Sequence, residues 1–184
     1  MITVLFQLEP SHVSCLRLRH YGTGGEARWY DVVLVGVDRA SDLAVVRVDG
    51  APEGALQPIK VGTSSDLRVG QSCYALGFPE DGTRTLSAGT VSGLKRSIPS
   101  KNGTTIRGAI QTDAKIAEVA AGGALLDSSA RLIGLNVTTY SSGATVNGRA
   151  QQSPAGVNFA IPVDSLVTVV PALITLPLGD TSRR

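Results

Sequence analysis

The sequence is poor in charge, in cysteine, in histidine and in long apolar runs, and each shortage closes off a class of protein. Charged residues make up 17% and hydrophobic residues 42% of the 184, a balance that suits a packed globular chain and not a disordered one. Seventeen basic against fifteen acidic residues leave a net charge of +2, too small to bring the chain to nucleic acid or an anionic membrane by charge alone. Two cysteines, Cys15 and Cys73, make neither a disulfide framework nor a metal cluster. Both lie in apolar, strand-like stretches and read first as buried free thiols, with a bridge between them as the alternative. No stretch approaches the roughly 20 apolar residues that span a bilayer. The opening apolar run at residues 2–8 is too short, and lacks the basic lead, for a signal peptide. The Gly22-Gly25 turn has no Lys-Ser/Thr ending, so it is not a phosphate loop. No motif calls for a metal or an organic cofactor.

What is present is β-structure. Apolar and β-branched runs at 2–8, 13–21, 29–37, Leu43–Val48, 56–61 and Ser72–Gly77 are separated by Gly, Pro, Asp and Ser turns, the pattern of a small barrel or sandwich. A polar bridge, Glu80-Asp81-Gly82-Thr83, marks a boundary. Strand patterns then resume at 85–94, 104–112, Ala124–Leu126, 132–140 and 157–161, and the Ser/Gly/Asn/Gln-rich residues 141–153 read as a loop. From Val163 to Thr175 the apolar spacing turns helical, with Asp164 in the first turn and Pro171 set to kink or end the helix. The expected division is a partial N-terminal barrel over 1–80, a second barrel over 81–162, and a helix and tail over 163–184.

One stretch, residues 109–127, carries the functional information. Gln111-Thr112-Asp113-Ala114 leads through Val119-Ala120-Ala121-Gly122-Gly123 into the apolar Ala124-Leu125-Leu126. With Asp38-Arg39-Ala40-Ser41-Asp42-Leu43-Ala44-Val45-Val46, Arg68-Val69-Gly70-Gln71, Gly89-Thr90-Val91-Ser92-Gly93-Leu94, Leu132-Ile133-Gly134-Leu135-Asn136 and Gly156-Val157-Asn158-Phe159-Ala160-Ile161-Pro162, in that order along residues 30–175, it resembles the protease domain of the Deg/HtrA serine proteases. The likeness is strongest to plant and algal lumenal members that lack a PDZ domain. It implies an all-β fold of two chymotrypsin-like barrels with the site between them, an incomplete N-terminal barrel, a C-terminal helix, and no PDZ domain in this chain.

The resemblance also assigns roles. Asp42 stands where the family has its triad acid; the other reading of Asp42 is a turn-capping aspartate. His12, thirty residues before Asp42 and followed by Val13, is the candidate base, but Leu8-Glu9-Pro10-Ser11 replaces the family's Thr-Asn-X-His-Val lead. His20 reads as a surface histidine at a strand end. Ala121 occupies the position of the nucleophilic serine, eight residues after Asp113, and Gly122-Gly123 fix the register. In the oxyanion turn Val119 and Ala120 replace a Gly-Asn pair, and a β-branched residue disfavours the positive φ that glycine allows. Asn136, Val137 and Thr138 match the strand beside which a substrate lies, and Val157, Asn158 and Phe159 match a wall of the specificity pocket; ordinary barrel strands are the equal alternative.

A serine endopeptidase needs a hydroxyl nucleophile, a base, an orienting acid and oxyanion donors. The expectation is therefore a degenerate, catalytically inactive member of the fold, acting as a subunit or as a peptide- or protein-binding module. By the resemblance alone it would reside in the chloroplast thylakoid lumen. Two alternatives stand beside it: an active endopeptidase of protein quality control if the sequence is truncated or altered, and a purely structural subunit of a larger assembly.

Overall fold

The structure is a computed structural model and describes residues 2–6, 17–21, 26–77, 84–100, 103–116, 120–137, 145–146, 149–150 and 156–175. Its strands form two bodies. The first is a four-stranded antiparallel sheet in the order β1-β4-β3-β2, built from β1 (Ile2–Phe6), β2 (Arg17–Tyr21), β3 (Ala27–Asp38) and β4 (Leu43–Val48). The second is a closed six-stranded barrel, β12-β7-β6-β5-β8-β9, from β5 (Ser72–Gly77), β6 (Thr85–Pro99), β7 (Thr105–Thr112), β8 (Ala124–Leu126), β9 (Leu132–Val137) and β12 (Asn158–Pro162). The expected all-β, two-body architecture with one incomplete barrel is thus present. The division at residues 80 and 81 does not follow the strand pairing, because β5 joins β6 and β8 inside the barrel.

Two further expectations are corrected. Residues 56–61 form no strand; Pro58 offers no N–H to a ladder, and a single parallel bridge joins Val61 to Leu132. The loop at 141–153 contains a short hairpin, β10 (Thr145–Val146) with β11 (Arg149–Ala150).

Barrel strands bury both faces because neighbouring side chains go to different cores. Ile110 and Ala160 join Cys73, Ala75, Val91, Leu125 and Ile133 in one cluster. Ala109 and Ile161 join Leu43, Ile98, Ile106, Leu135, Val137, Val163 and Leu166 in the other. Leu43 belongs to the open sheet and Leu166 to the helix, so the second cluster is what joins the bodies.

That helix, α1 (Val163–Thr175), packs on β3, β4, β9 and β12. Its start is tied down reciprocally: Asp164 N–H donates to Ser64 Oγ at 3.1 Å, and Ser64 N–H donates to Asp164 Oδ1 at 3.2 Å. The Ser64 amide is the main reason that the Asp164 carboxyl sits below the usual range. The helix runs on past Pro171 to Thr175. The missing Pro171 N–H leaves the Val167 carbonyl without its helical donor, and Val167 is on the exposed side, where water can serve it. At its far end the helix lies against Gly36, where a Cβ would stand 2.8 Å from Leu173 O and 3.0 Å from Leu173 Cβ. Gly36→Ala should therefore loosen the helix from the open sheet at a cost of about 1–3 kcal/mol. A thermal melt checks this, and an unchanged midpoint would show that the helix end yields freely.

Candidate functional site

Residues 120–123 form a tight turn that leads into β8 and lies beside the end of β5. Ala120 to Gly123 closes through Gly123 N–H donating to Ala120 O at 3.0 Å. Gly122 has φ 78°, and its N–H donates to Asn136 O at 2.9 Å, while Asn136 N–H donates to Gly123 O at 2.8 Å. The Asn136 side chain completes the clamp, its Nδ2 donating to Leu76 O at 3.0 Å and Ala124 O at 3.4 Å. Gly77 seats the turn from below: a Cβ there would stand 2.8 Å from Ala120 Cβ. Ala121 itself packs against the cluster between the two bodies. Its side chain is a methyl group with no hydroxyl to offer, and the Gly122 and Gly123 amides are both committed inside the protein.

The residues leading into the turn form a second frame. Thr112 Oγ1 accepts Ala114 N–H at 3.0 Å and touches Cys73 Sγ at 3.1 Å. Asp113 accepts Thr90 N–H at 2.5 Å and Thr90 Oγ1–H at 3.1 Å. The Thr90 amide is the main reason that its carboxyl sits below the usual range. Asn158 Nδ2 donates to Ala114 O at 2.9 Å, linking β12 to the same segment. Gly89 passes so close to Ala114 N and Cα that no side chain fits between. Cys73 is a fully buried free thiol; burial pushes its pKa up, against a smaller pull from Thr112.

Asp42 sits in the β3–β4 turn with φ 56°, a left-handed conformation that aspartate tolerates better than most residues. Its Oδ2 accepts Ser100 Oγ–H at 2.7 Å, and Ser100 is 2% exposed. Beside it Thr104 Oγ1 donates to Arg39 O at 3.2 Å. The tip of the β6–β7 hairpin is thereby tied to the turn that holds Asp42. Ser100 was not singled out from the sequence: a serine at a hairpin tip carries no local signal, and only the fold brings it 58 positions back to Asp42.

The two histidines are placed differently. β1 ends at Phe6, paired with Leu43 next to Asp42. His12, with Cys15, lies outside the described residues. His20 is excluded by geometry. It pairs with Arg28, at the far end of β3 from Asp38 and the Asp42 turn, about 30 Å away at roughly 3.3 Å per residue. Nor is it the surface histidine expected: it is half-buried, its Nδ1 is enclosed with no partner among the described residues, and its ring lies 6.4 Å from that of Tyr30.

The expected peptide strand is altered as well. Asn136 is fully buried, and its main-chain N–H and C=O are spent on Gly123 and Gly122. It offers no edge to a substrate and is a structural clamp instead. Val137 is 3% exposed and pairs with Phe159. Main-chain groups alternate sides along a strand, so any free edge begins after Val137; Thr138 and Val119 lie outside the described residues. Val157, just before β12, and Asn158 and Phe159 at its start are half-buried. Among the described residues no group of three or more His, Cys, Asp or Glu could hold a metal ion, and no helix is long and apolar enough to cross a membrane.

A closed barrel facing a second sheet, with a glycine-framed turn and an aspartate at their junction, is the arrangement of the chymotrypsin-like proteases. The model of the trypsin-like peptidase domain family matches residues 8–135. The chain is 51% identical over 142 residues to "Protease Do-like 5, chloroplastic" of Arabidopsis thaliana, an alignment that covers 77% of this chain and 42% of the relative. Among solved structures it is similar to that of Deg5, with a TM-score of 0.69 and 43% identity over 86% of this chain and 68% of the other. It is also similar to the HtrA-type protease AlgW solved with a decapeptide, with a TM-score of 0.66 and 31% identity over 86% of this chain and 44% of the other. The chain belongs to the trypsin-like peptidase domain family, in its Deg/HtrA branch. It spans less than half the length of the curated relatives it matches.

Proposed function

We propose that the chain is a catalytically silent member of this branch that binds peptide or protein segments as part of a larger assembly. The observation that carries the reading is Ala121, a methyl group where the nucleophile belongs, in a turn where Val119 and Ala120 also replace the family's Gly-Asn pair. Loss of the serine alone costs roughly a millionfold in turnover in subtilisin. Peptide binding needs only main-chain edges and pockets, which can outlast the nucleophile, and AlgW, of the same fold, has been solved with a decapeptide. The open sheet supports a partner: among the described residues β1 and β2 each pair on one side only, and unpaired edges invite a further strand. The chloroplastic relatives support residence in that organelle, with the thylakoid lumen as the compartment proposed.

An active endopeptidase keeps one observation in its favour, since an acid held by Ser100 suits a residue that orients a base. A serine-directed fluorophosphonate probe and unfolded casein separate the two. The wild-type chain is expected to take no label and release no peptides. The triple variant Val119→Gly, Ala120→Asn, Ala121→Ser is expected to stay silent for want of a base. Cleavage by that variant would show His12 serving as the base, and labelling of the wild type would overturn the proposal.

A further inference from the structure

Positive charge is concentrated on the β6–β7 hairpin. Residues 84–112 include Arg84, Lys95, Arg96, Lys101 and Arg107 and no Asp or Glu, which exceeds the net charge of +2 of the whole chain. Lys95, Arg96 and Arg107 are exposed. They lie close together: Arg96 pairs with Ala109 and Ile98 with Ile106, which sets Arg107 diagonally across the ladder from Arg96. None of the three is in an ion pair among the described residues. Among the described residues, Asp113 is engaged by Thr90 and Asp42 by Ser100.

The hairpin shapes this face. Its ladder shifts register three times, Lys95 adopts φ 55° and Gly108 φ 79°, and such bulges re-aim side chains away from a regular ladder. Arg96 is held in place: its Nε donates to Gln111 Oε1 at 3.0 Å. Its guanidinium lies back over Gly93, where a Cβ would stand 2.8 Å from Nε and 3.0 Å from Nη2. With Nε engaged, the Nη groups remain for a carboxylate, which takes two parallel hydrogen bonds from such a fork.

We propose that Lys95, Arg96 and Arg107 dock an acidic stretch of the partner polypeptide. The inference rests on the peptide-binding reading above and names the chemistry of the partner. Three clustered charges on a chain of net +2 are too few to track a phosphate backbone or an anionic bilayer. They match a short run of Asp or Glu. The tip of the hairpin is fastened beside Asp42, so the face borders the junction of the two bodies.

The test is fluorescence anisotropy with labelled deca-glutamate, a neutral Gly-Ser decapeptide and an uncharged apolar decapeptide. Deca-glutamate is expected to bind the wild-type chain, and Arg96→Gln to weaken it by about tenfold or more. Arg96→Lys, which keeps the charge and loses the fork, should fall between. Raising salt from about 50 to 300 mM should weaken the binding sharply. Equal binding of deca-glutamate by a Lys95→Gln, Arg96→Gln, Arg107→Gln variant would overturn the docking face. Tighter binding of a DNA oligonucleotide or of phosphatidylserine vesicles would overturn the choice of an acidic polypeptide. If the apolar peptide still binds, only the acidic docking fails; if no peptide binds at all, the peptide-binding reading fails with it.

Discussion

Gly123→Ala is expected to lower the thermal midpoint of the fold more than any other single substitution considered for this turn. A Cβ at this position would fall inside the contact radius of Leu76 O, a main-chain atom of β5, and within 3.0 Å of Ala120 O. Neither can move far. Leu76 is the neighbour of Gly77, which has its own close approach to Ala120, and Leu76 O also accepts the Asn136 amide. Forcing atoms into a packed site costs about 1–3 kcal/mol, and more where the obstacle is backbone, which is a large share of the roughly 5–15 kcal/mol that holds a domain together. Circular dichroism melts of the soluble fraction would measure it. A variant that melts within a degree or two of the wild type would mean the turn can shift bodily, and the rigidity argued for the loop would be wrong.

Asp127→Ala is the second large effect. Asp127 is 4% exposed, and its carboxylate organises the β8–β9 turn. Its Oδ1 accepts the Ser129 and Arg131 amides at 2.8 and 2.9 Å, and its Oδ2 accepts Arg131 Nε and Nη2, both at 2.8 Å. Hydrogen bonds to a charged group contribute about 1.5–3 kcal/mol each to stability where mutation isolates them, and they share one carboxylate here, so a loss of about 2–4 kcal/mol is expected from its removal. The pH dependence has a definite sign. Burial alone would raise the Asp127 pKa, but the Arg131 amide and guanidinium and the Ser129 amide outweigh it and leave it lowered. A carboxylate with a lowered folded pKa contributes its stability above the unfolded value near 3.9 and loses it as pH falls through the folded value. The wild type should therefore lose this contribution only below about pH 4, and Asp127→Ala should flatten that part of the profile. Denaturant midpoints from neutral pH down to about pH 3 would show it; parallel profiles for the two proteins would contradict it.

Much of the architecture can be read from local pattern. Leu43–Val48, Ser72–Gly77, Ala124–Leu126 and the helix Val163–Thr175 have the bounds that their apolar runs and turn residues indicate. Elsewhere pattern is ambiguous for physical reasons. Residues 56–61 look like a strand because Ile59 and Val61 are apolar, yet both are exposed and Pro58 breaks the ladder. β6 runs on to Pro99 because bulges carry it through Lys95 and Arg96, which period-two reading treats as an end. The barrel begins before residue 81 because strand pairing ignores where polar residues gather. The site is harder still. Asp42 and Ala121 can be found by motif, but the clamp role of Asn136 and the hold of Ser100 on Asp42 depend on main-chain geometry and on contacts many positions apart. Sequence likeness placed Asn136 at the substrate edge; its buried amide places it behind the turn.

The double frame around residue 121 also bears on how such proteins change. Glycines 77, 89 and 123 have no room for side chains, and Thr112, Asp113, Asn136 and Asn158 satisfy main-chain groups that would otherwise be stranded. Folding alone retains all of these, whether or not a bond is ever cut. Residue 121 is under no such demand, since its methyl group meets only the rim of a hydrophobic cluster. In this scaffold the shape of the loop and the side chain at residue 121 are therefore separately heritable: the frame is fixed by close approaches and hydrogen bonds in which the residue 121 side chain takes no part.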